Sequence, residues 1–313
     1  MDKTLYIIIP VYNEEEVLPV SIPAFCEKLS DLIGRSFVSD KSRLVFVDDG
    51  SKDSSWEIIK EFSKKCDYVK GIKLSRNRGH QNALVAGLNY AADKCDLTIT
   101  ADCDGQDDPG AIDDMIKAYL DGCDIVYGVR SSRDTDSFFK RLSARFFYKL
   151  MRFFGVETIY DHADYRLMSS RAVKALLSFD EVNIYLRGLV PLVGFKSTTV
   201  LYKRNKRLAG KTKYPLSKMI KLAVNGITGF STKPIRYITG LGITVSVASI
   251  VGIVWSVARA ILGLTVPGWA SMTAIICFLG GIQLLSLGVI GEYIGKIYLE
   301  TKHRPKYIIE EEV

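Results

Sequence analysis

The sequence predicts an α/β fold around a doubly wound, mostly parallel sheet, and three observations carry that reading. Short apolar, β-branched runs (Leu5–Ile9, Leu44–Val47, Val69–Leu74 and Leu97–Thr100) are separated by helix-like segments, giving the order β-α-β-α-β-α-β. Leu5–Ile9 is a continuous apolar run, as expected of a strand covered on both faces. Each run breaks off into polar or acidic residues, and open α/β sheets hold ligands at the carboxyl ends of their strands.

The first run stops at Pro10-Val11-Tyr12-Asn13-Glu14-Glu15. Proline has no N–H to give a central ladder, so the chain is expected to turn at Pro10 into a helix. Tyr12 and Glu14 would then lie at the strand's carboxyl edge, although acidic residues also suit a first helical turn on dipole grounds alone. The second run ends in Asp48-Asp49-Gly50-Ser51-Lys52-Asp53. Two carboxylates there suit hydrogen bonding to a nucleoside, while Ser51 or Asp53 can cap a helix near Trp56–Lys64. After the third run, Ser75-Arg76-Asn77-Arg78-Gly79-His80 leads into a helix of small residues, Ala83–Ala92. Arginine and free N–H groups at a helix start can hold phosphate. His80 reads as a surface or capping residue rather than a catalytic one.

The fourth run ends in Ala101-Asp102-Cys103-Asp104-Gly105-Gln106-Asp107-Asp108-Pro109. Side chains two apart on an extended chain point the same way, so Asp102 and Asp104 could face one divalent ion carrying a diphosphate. Hard oxygen donors suit Mg2+ or Mn2+. Asp108-Pro109 reads as the N-cap and first residue of the next helix. Neither a G-x-G-x-x-G fingerprint nor a P-loop occurs, so phosphate binding falls to the acidic strand ends and a metal.

A fifth strand, Asp124–Arg130, precedes Ser137–Phe154, where aromatic pairs interleave with Lys140, Arg141, Arg145, Lys149 and Arg152. That pattern fits a helix lying in a membrane interface, or else a helix packed on the sheet. In Asp161-His162-Ala163-Asp164, ahead of a helix at Ser170–Leu177, a carboxylate could contact sugar or acceptor, or the segment could cap the helix. The loop Lys203–Tyr214, with Arg207 and Lys213, concentrates cations that an anion or lipid headgroup would neutralise.

Two uncharged runs follow, Ile238–Ala258 and Trp269–Ile290, each long enough to cross the hydrocarbon layer. Lys233 and Arg236 precede the first; Lys296, Lys302, Arg304 and Lys306 follow the second. The positive-inside rule puts both ends of this hairpin in the cytoplasm. The net charge of +7 is gathered beside aromatic or membrane-like segments, which favours an anionic bilayer over nucleic acid. Six cysteines without paired spacing fit a reduced, cytosol-facing domain, and Met1-Asp2-Lys3 leads straight into a strand, so no secretory leader is expected. Glu310-Glu311-Glu312 reads as a disordered tail. The predicted layout is a catalytic domain at 1–213, a juxtamembrane amphipathic segment at 214–235, two spans within 236–298 (about 238–260 and 269–292), and a cytoplasmic tail at 299–313.

With these stretches in view, the chain resembles family-2 glycosyltransferases of the polyprenyl-phosphate type, a group that includes dolichyl-phosphate mannose synthases and bactoprenol glucosyltransferases. The resemblance rests on Pro10-Val11-Tyr12-Asn13-Glu14, Val47-Asp48-Asp49-Gly50-Ser51, Asn77-Arg78-Gly79, Ala101-Asp102-Cys103-Asp104-Gly105-Gln106, Asp164-Tyr165-Arg166-Leu167-Met168 and the closing hairpin. It implies a GT-A type, Rossmann-like catalytic domain followed by interface helices and a two-helix transmembrane hairpin. Pro10, Tyr12, Glu14, Val47 and Asp49 match positions that hold the nucleotide. Asp102 matches a carboxylate of the nucleotide and metal site, and Asp104 and Gln106 match ligands of Mg2+ or Mn2+. Arg130, Lys140, Arg141, Arg207 and Lys213 match basic positions that receive phosphate, with Arg207 counted beside Asp161 and Asp164 as a catalytic candidate. Cys103 stands where alanine is commoner and is expected to point away from the metal. No Q-x-x-R-W segment occurs, which argues against a processive polysaccharide synthase.

The implied activity is inverting transfer of a sugar, first of all glucose from UDP-glucose, to undecaprenyl phosphate at the cytoplasmic membrane face, for cell-envelope glycan modification. The implied partners are the nucleotide sugar, the lipid phosphate, the bilayer and further copies of the chain. Three other readings stay open: another donor (UDP-GlcNAc, GDP-mannose or a modified pentose), an inactive membrane scaffold or lipid carrier, and a lipid flippase.

Overall fold

A computed structural model describes residues 3–131, 153–154, 162–182, 184–203, 227–229, 231–262 and 268–313. Most of the expected interface helix, with Lys140 and Arg141, lies outside them, as do Asp161, Arg207 and Lys213.

The chain opens with β1 (Leu5–Val11), α1 (Leu18–Gly34), β2 (Arg43–Asp48), α2 (Ser55–Lys65), β3 (Val69–Leu74), α3 (His80–Ala91) and β4 (Leu97–Thr100). The alternation read from the sequence is thus present, and β1 pairs in parallel with both β2 and β4, and β2 with β3. Then come α4 (Ala111–Leu120), β5 (Ile125–Arg130), β6 (His162–Ser169), α5 (Ser170–Leu177), α6 (Leu186–Leu192) and β7 (Ser197–Tyr202). Last are two long helices, α7 (Lys233–Ile261) and α8 (Trp269–Glu300), and β8 (Ile309–Glu312). The strands form one sheet in the order β7-β5-β6-β4-β1-β2-β3-β8.

Alternation along the strands divides the core between two helical layers. Ile7, Ile9, Leu44 and Phe46 face the layer of α1, α2 and α4, while Ile8, Val45, Val47 and Ile72 face α3, α5 and α6. Gly87 lets α3 lie directly on the sheet: a Cβ there would stand 2.3 Å from Ile8 Cγ2 and 2.9 Å from Val47 Cγ2. That close seat carries the first residue of α3, His80, to the carboxyl ends of the strands.

Four expectations are corrected. The first strand does not end before Pro10 but runs to Val11, with Pro10 opposite Val47. Ile8 O accepts from Ala101 N, and Val11 O from Asp49 N. Pro10 therefore turns its nitrogen to the β4 side, past the last rung of that ladder, where no donor is missed. The Asp161–Met168 stretch is not a capping segment: from His162 it is β6, antiparallel between β4 and β5. Asp108 does not cap α4 directly. Its Oδ1 accepts from Gly110 N at 2.8 Å in a turn, and the helix starts at Ala111. The acidic tail is ordered. It forms β8, antiparallel to β3, with Glu311 Oε2 accepting from Trp56 Nε1 at 2.8 Å and Glu310 3.2 Å from Lys73. Its like charges are neutralised by lysines on the neighbouring strand and helix, which composition does not reveal.

Two helical stretches, Lys233–Arg259 and Phe278–Glu300, are long and apolar enough to cross a membrane, and neither is buried against the rest of the chain. Trp255, Leu284 and Phe278 are among the large apolar side chains left exposed on them.

Candidate active site

The carboxyl ends of β1, β2 and β4 lie side by side, and the segments that leave them are laced together. Asn13 N donates to Ser51 Oγ at 2.9 Å, and Asn13 Oδ1 accepts from Lys52 N at 2.8 Å. Glu14 N donates to Ser55 Oγ at 2.9 Å. Asn13 has φ +52°, a left-handed turn that asparagine tolerates, so the chain leaves β1 sharply with Tyr12 exposed beside it.

Asp49 is buried, and both of its oxygens accept backbone N–H groups, Oδ1 from Arg78 at 2.7 Å and Oδ2 from Gly79 at 2.8 Å. Burial raises its carboxyl, and those two bonds oppose the rise. Asp49 therefore fixes the turn that opens α3. Asp48, fully buried, accepts from Ser51 N. Val47 turns its side chain into the core and brings only backbone to the strand end.

Beyond β4 the acidic loop folds over the site. Asp104 is buried and accepts from Gln106 N at 3.1 Å. Cys103 points the other way, into the core, with its Sγ 3.4 Å from Ser21 Oγ, and burial pushes its thiol up to about 12. Asp107 is also buried: Tyr202 donates to it at 2.7 Å, Asp102 N at 3.4 Å, and burial followed by the Asp102 charge pushes it up to about 7. Arg130 lies against Asp107 and Tyr202, its buried Nε without a hydrogen bond.

The other wall comes from β6, α3 and α6. Asp164 is buried and paired with Arg166 and with Arg187, whose Nη2 is 3.1 Å from its Oδ2. Thr100 Oγ1 donates to the Asp164 carbonyl, which seats β6 on β4. His80 Nε2 stands between two carboxylates, 3.7 Å from Asp164 Oδ2 and 3.8 Å from Asp102 Oδ1. Burial would raise Asp164, but Arg187, His80 and Arg166 outweigh it and hold the carboxyl well below the usual range. Desolvation raises Asp102, the Asp164 and Asp104 charges add to the rise, and His80 opposes it.

Pro10, Tyr12, Glu14, Asp49, Asp102, Asp104, Gln106 and Asp164 thus all sit at the carboxyl edge of the sheet, while Arg130 joins the Asp107–Tyr202 network under the acidic loop. His80, read from the sequence as a surface or capping residue, stands between Asp102 and Asp164 instead, and Arg187 was not singled out by sequence. A lone histidine after a Gly reads as a cap, and Arg187 lies in Tyr185-Leu186-Arg187-Gly188, which carries no spacing signal.

Asp102, Asp104 and Gln106 offer two carboxylates and an amide oxygen, a hard-donor set. Among the described residues no three His, Cys, Asp or Glu side chains converge as a ready-made cage. The set fits a small divalent ion that takes one or two carboxylates and fills its remaining positions from phosphate oxygens and water.

Residues 6–177, which carry this donor set, match the family model described as Glycosyl transferase family 2. The chain belongs to that family and is a family 2 glycosyltransferase, with the GT-A type of sheet that the resemblance implies. It is 49% identical over 306 residues to an uncharacterized glycosyltransferase, YkoT, of Bacillus subtilis, covering 98% of this chain and 91% of that protein. It is 38% identical to the bactoprenol glucosyl transferase of Shigella phage SfV, over 98% of both chains. Among solved structures it is similar to glucosyl-3-phosphoglycerate synthase from Mycobacterium tuberculosis in complex with Mn2+, UDP-glucose and phosphoglyceric acid (TM-score 0.45, 16% identity, 72% of this chain and 78% of that one).

Proposed function

We propose that this chain transfers a sugar, glucose from UDP-glucose in the first instance, to undecaprenyl phosphate at the cytoplasmic face of a membrane. One observation carries the reading. The likeness to proteins named bactoprenol glucosyl transferase extends over nearly the whole chain, so it takes in both the acidic site and the helix pair. The fold adds a constraint on topology. β1 precedes α7 and α8, β8 follows them, and both strands belong to one sheet. The two flanks of the helix pair therefore lie on the same side of any membrane it crosses, and the lysines and arginines on both flanks favour the cytoplasm.

The chemistry is a single displacement. An oxygen of the lipid phosphate attacks the anomeric carbon from the face opposite the nucleoside diphosphate. The new carbon–oxygen bond forms as the bond to the diphosphate breaks, and the configuration inverts. A phosphate monoester has its second pKa near 6, about one unit below neutrality, so the nucleophile needs no strong base. Asp102, Asp104 and Gln106 would hold Mg2+ or Mn2+, which supplies charge neutralisation for the departing diphosphate. Tyr12, Glu14 and Asp49 line the strand ends where the nucleoside would lie. Asp164, kept ionised by Arg187, His80 and Arg166, is suited to orient a sugar hydroxyl or the acceptor. Arg130, Lys140, Arg141, Arg207 and Lys213 are assigned to the phosphate groups by the family resemblance, and Asp161 is the alternative to Asp164 for orienting the sugar or the acceptor.

The deciding experiment incubates detergent-purified protein with Mn2+, undecaprenyl phosphate and a panel of nucleotide sugars, following lipid-linked product by mass spectrometry. The expected result is a product with UDP-glucose that needs the ion and is lost in Asp104→Ala. Product with another donor alone would replace glucose in the reading. No product with any donor, despite nucleotide binding, would overturn the transferase assignment in favour of a membrane scaffold.

A further inference from the structure

The end of α8 and the residues behind it grip the far side of the site. Glu300, the last residue of α8, accepts the Val182 amide with both carboxylate oxygens at 2.9 Å. Lys306 donates to the Phe179 carbonyl at 3.0 Å and stands 3.5 Å from Asp180. Tyr307 accepts from Asn89 Nδ2 at 2.8 Å, and Ile308 O accepts from Ser75 N at 3.0 Å where β8 joins the sheet. Phe179 to Val182 belongs to the connection between α5 and α6, and Arg187 is the second residue of α6. From the site side, Gln81 Oε1 accepts from Leu186 N at 3.0 Å, and Arg166 Nη1 donates to Leu186 O at 3.3 Å.

A helix of seven residues is too short to fix its own place, so α6 sits where its N-terminal end and the connection before it are held. Its first residue, Leu186, is held by the site residues themselves, and the connection that leads into it by charged side chains of the membrane-length helix and its tail. Such charge-assisted bonds to backbone are about twice as strong as neutral ones. We propose that Glu300 and Lys306 are positioning residues, which seat the connection before α6 so that Arg187 meets Asp164, and thereby couple the active site to the apolar helix pair. The inference rests on the reading of Asp164 and Arg187 as part of the transfer site.

The test uses the full chain in lipid nanodiscs, comparing wild type with Glu300→Ala, Glu300→Gln and Lys306→Ala. Glutamine keeps an acceptor for the Val182 amide; alanine does not. Hydrogen exchange by mass spectrometry reads peptides over 178–190, and transfer kinetics are measured alongside. Glu300→Ala should speed exchange through Arg187 and lower kcat about five-fold or more, with KM for the nucleotide sugar changed less than about two-fold. Glu300→Gln should restore both. Faster exchange confined to Val182 with kcat unchanged, or a glutamine variant as impaired as alanine, would overturn the proposal. Should Glu300→Ala lose cooperative melting, Lys306→Ala is read by the same two measures. Absence of transfer by wild type itself would refute the functional reading, while the exchange arm still decides whether the strap holds α6.

Discussion

Arg187 meets Asp164 at two points, Nη2 to Oδ2 at 3.1 Å and Nε to Oδ1 at 3.4 Å, joining α6 to β6 across the mouth of the site. A fork of this kind fixes direction as well as charge. Arg187→Ala should therefore slow sugar transfer about 10- to 100-fold, the equivalent of one hydrogen bond to a charged group. Arg187→Lys should recover only part of the loss, because an ammonium cannot reproduce the fork. Steady-state rates at saturating donor and acceptor check this, and full recovery by lysine would mean that charge alone matters.

The position of His80 makes stability pH-dependent. Burial works against its protonated form, but the Asp164 carboxylate 3.7 Å away and the Asp102 carboxylate 3.8 Å away outweigh it, so its pKa lies above the ordinary 6.5. A raised folded-state value means that the contribution to stability is fully present below pH 6.5 and is lost as pH rises through the folded value. Metal-free, nucleotide-free protein should show a falling melting temperature across that window, and His80→Asn should flatten the fall. Parallel curves for the two proteins would rule the effect out.

Chelation of divalent ions should stop transfer, and added Mn2+ or Mg2+ should restore it. Asp102→Asn should need about ten-fold more ion for half-maximal activity, since one of two hard anionic donors is lost. A titration of rate against free ion measures the difference. Identical curves would place the ion elsewhere.

The seat of β8 can be probed from β3. At Gly71 a Cβ would stand 2.7 Å from Ile59 Cγ2, 2.8 Å from Val313 Cγ2 and 3.0 Å from Trp56 Cζ3. Gly71→Ala should cost about 1–3 kcal/mol, the usual range for overpacking a dense core. Removing Ile309–Val313 in the same chain should relieve only part of that cost, because Ile59 and Trp56 remain. Thermal melts of the two single variants and the combined one give the answer.

The first four strands were legible because each carries Val, Ile or Leu, in a block or at intervals, between turn signals, and the acidic strand ends because nothing in a helix cap requires both Asp102 and Asp104. β6 was not. Its Asp164 and Arg166 are buried and paired with each other, so a strand inside the sheet has the composition of a polar loop. β8 was misread for a related reason: Glu310 and Glu311 meet Lys73, Lys60 and Trp56, partners far away in sequence. Of the site, the carboxylates could be found by eye. His80 and Arg187 could not, since their meaning lies in being brought to Asp164 by a sheet order that runs against sequence order.

That sheet order also fixes a sequence of events in synthesis. Trp56 and Glu311 are bonded yet lie 255 residues apart, and every residue of α7 and α8 leaves the ribosome before β8 does. Until then β3 is an open edge, with unpaired backbone groups able to recruit any extended chain nearby. The catalytic sheet is closed only after the apolar helices have been made. A stalled or frame-shifted chain that lacks β8 would carry a nearly whole enzyme with an adhesive border, a form for cellular quality control to recognise.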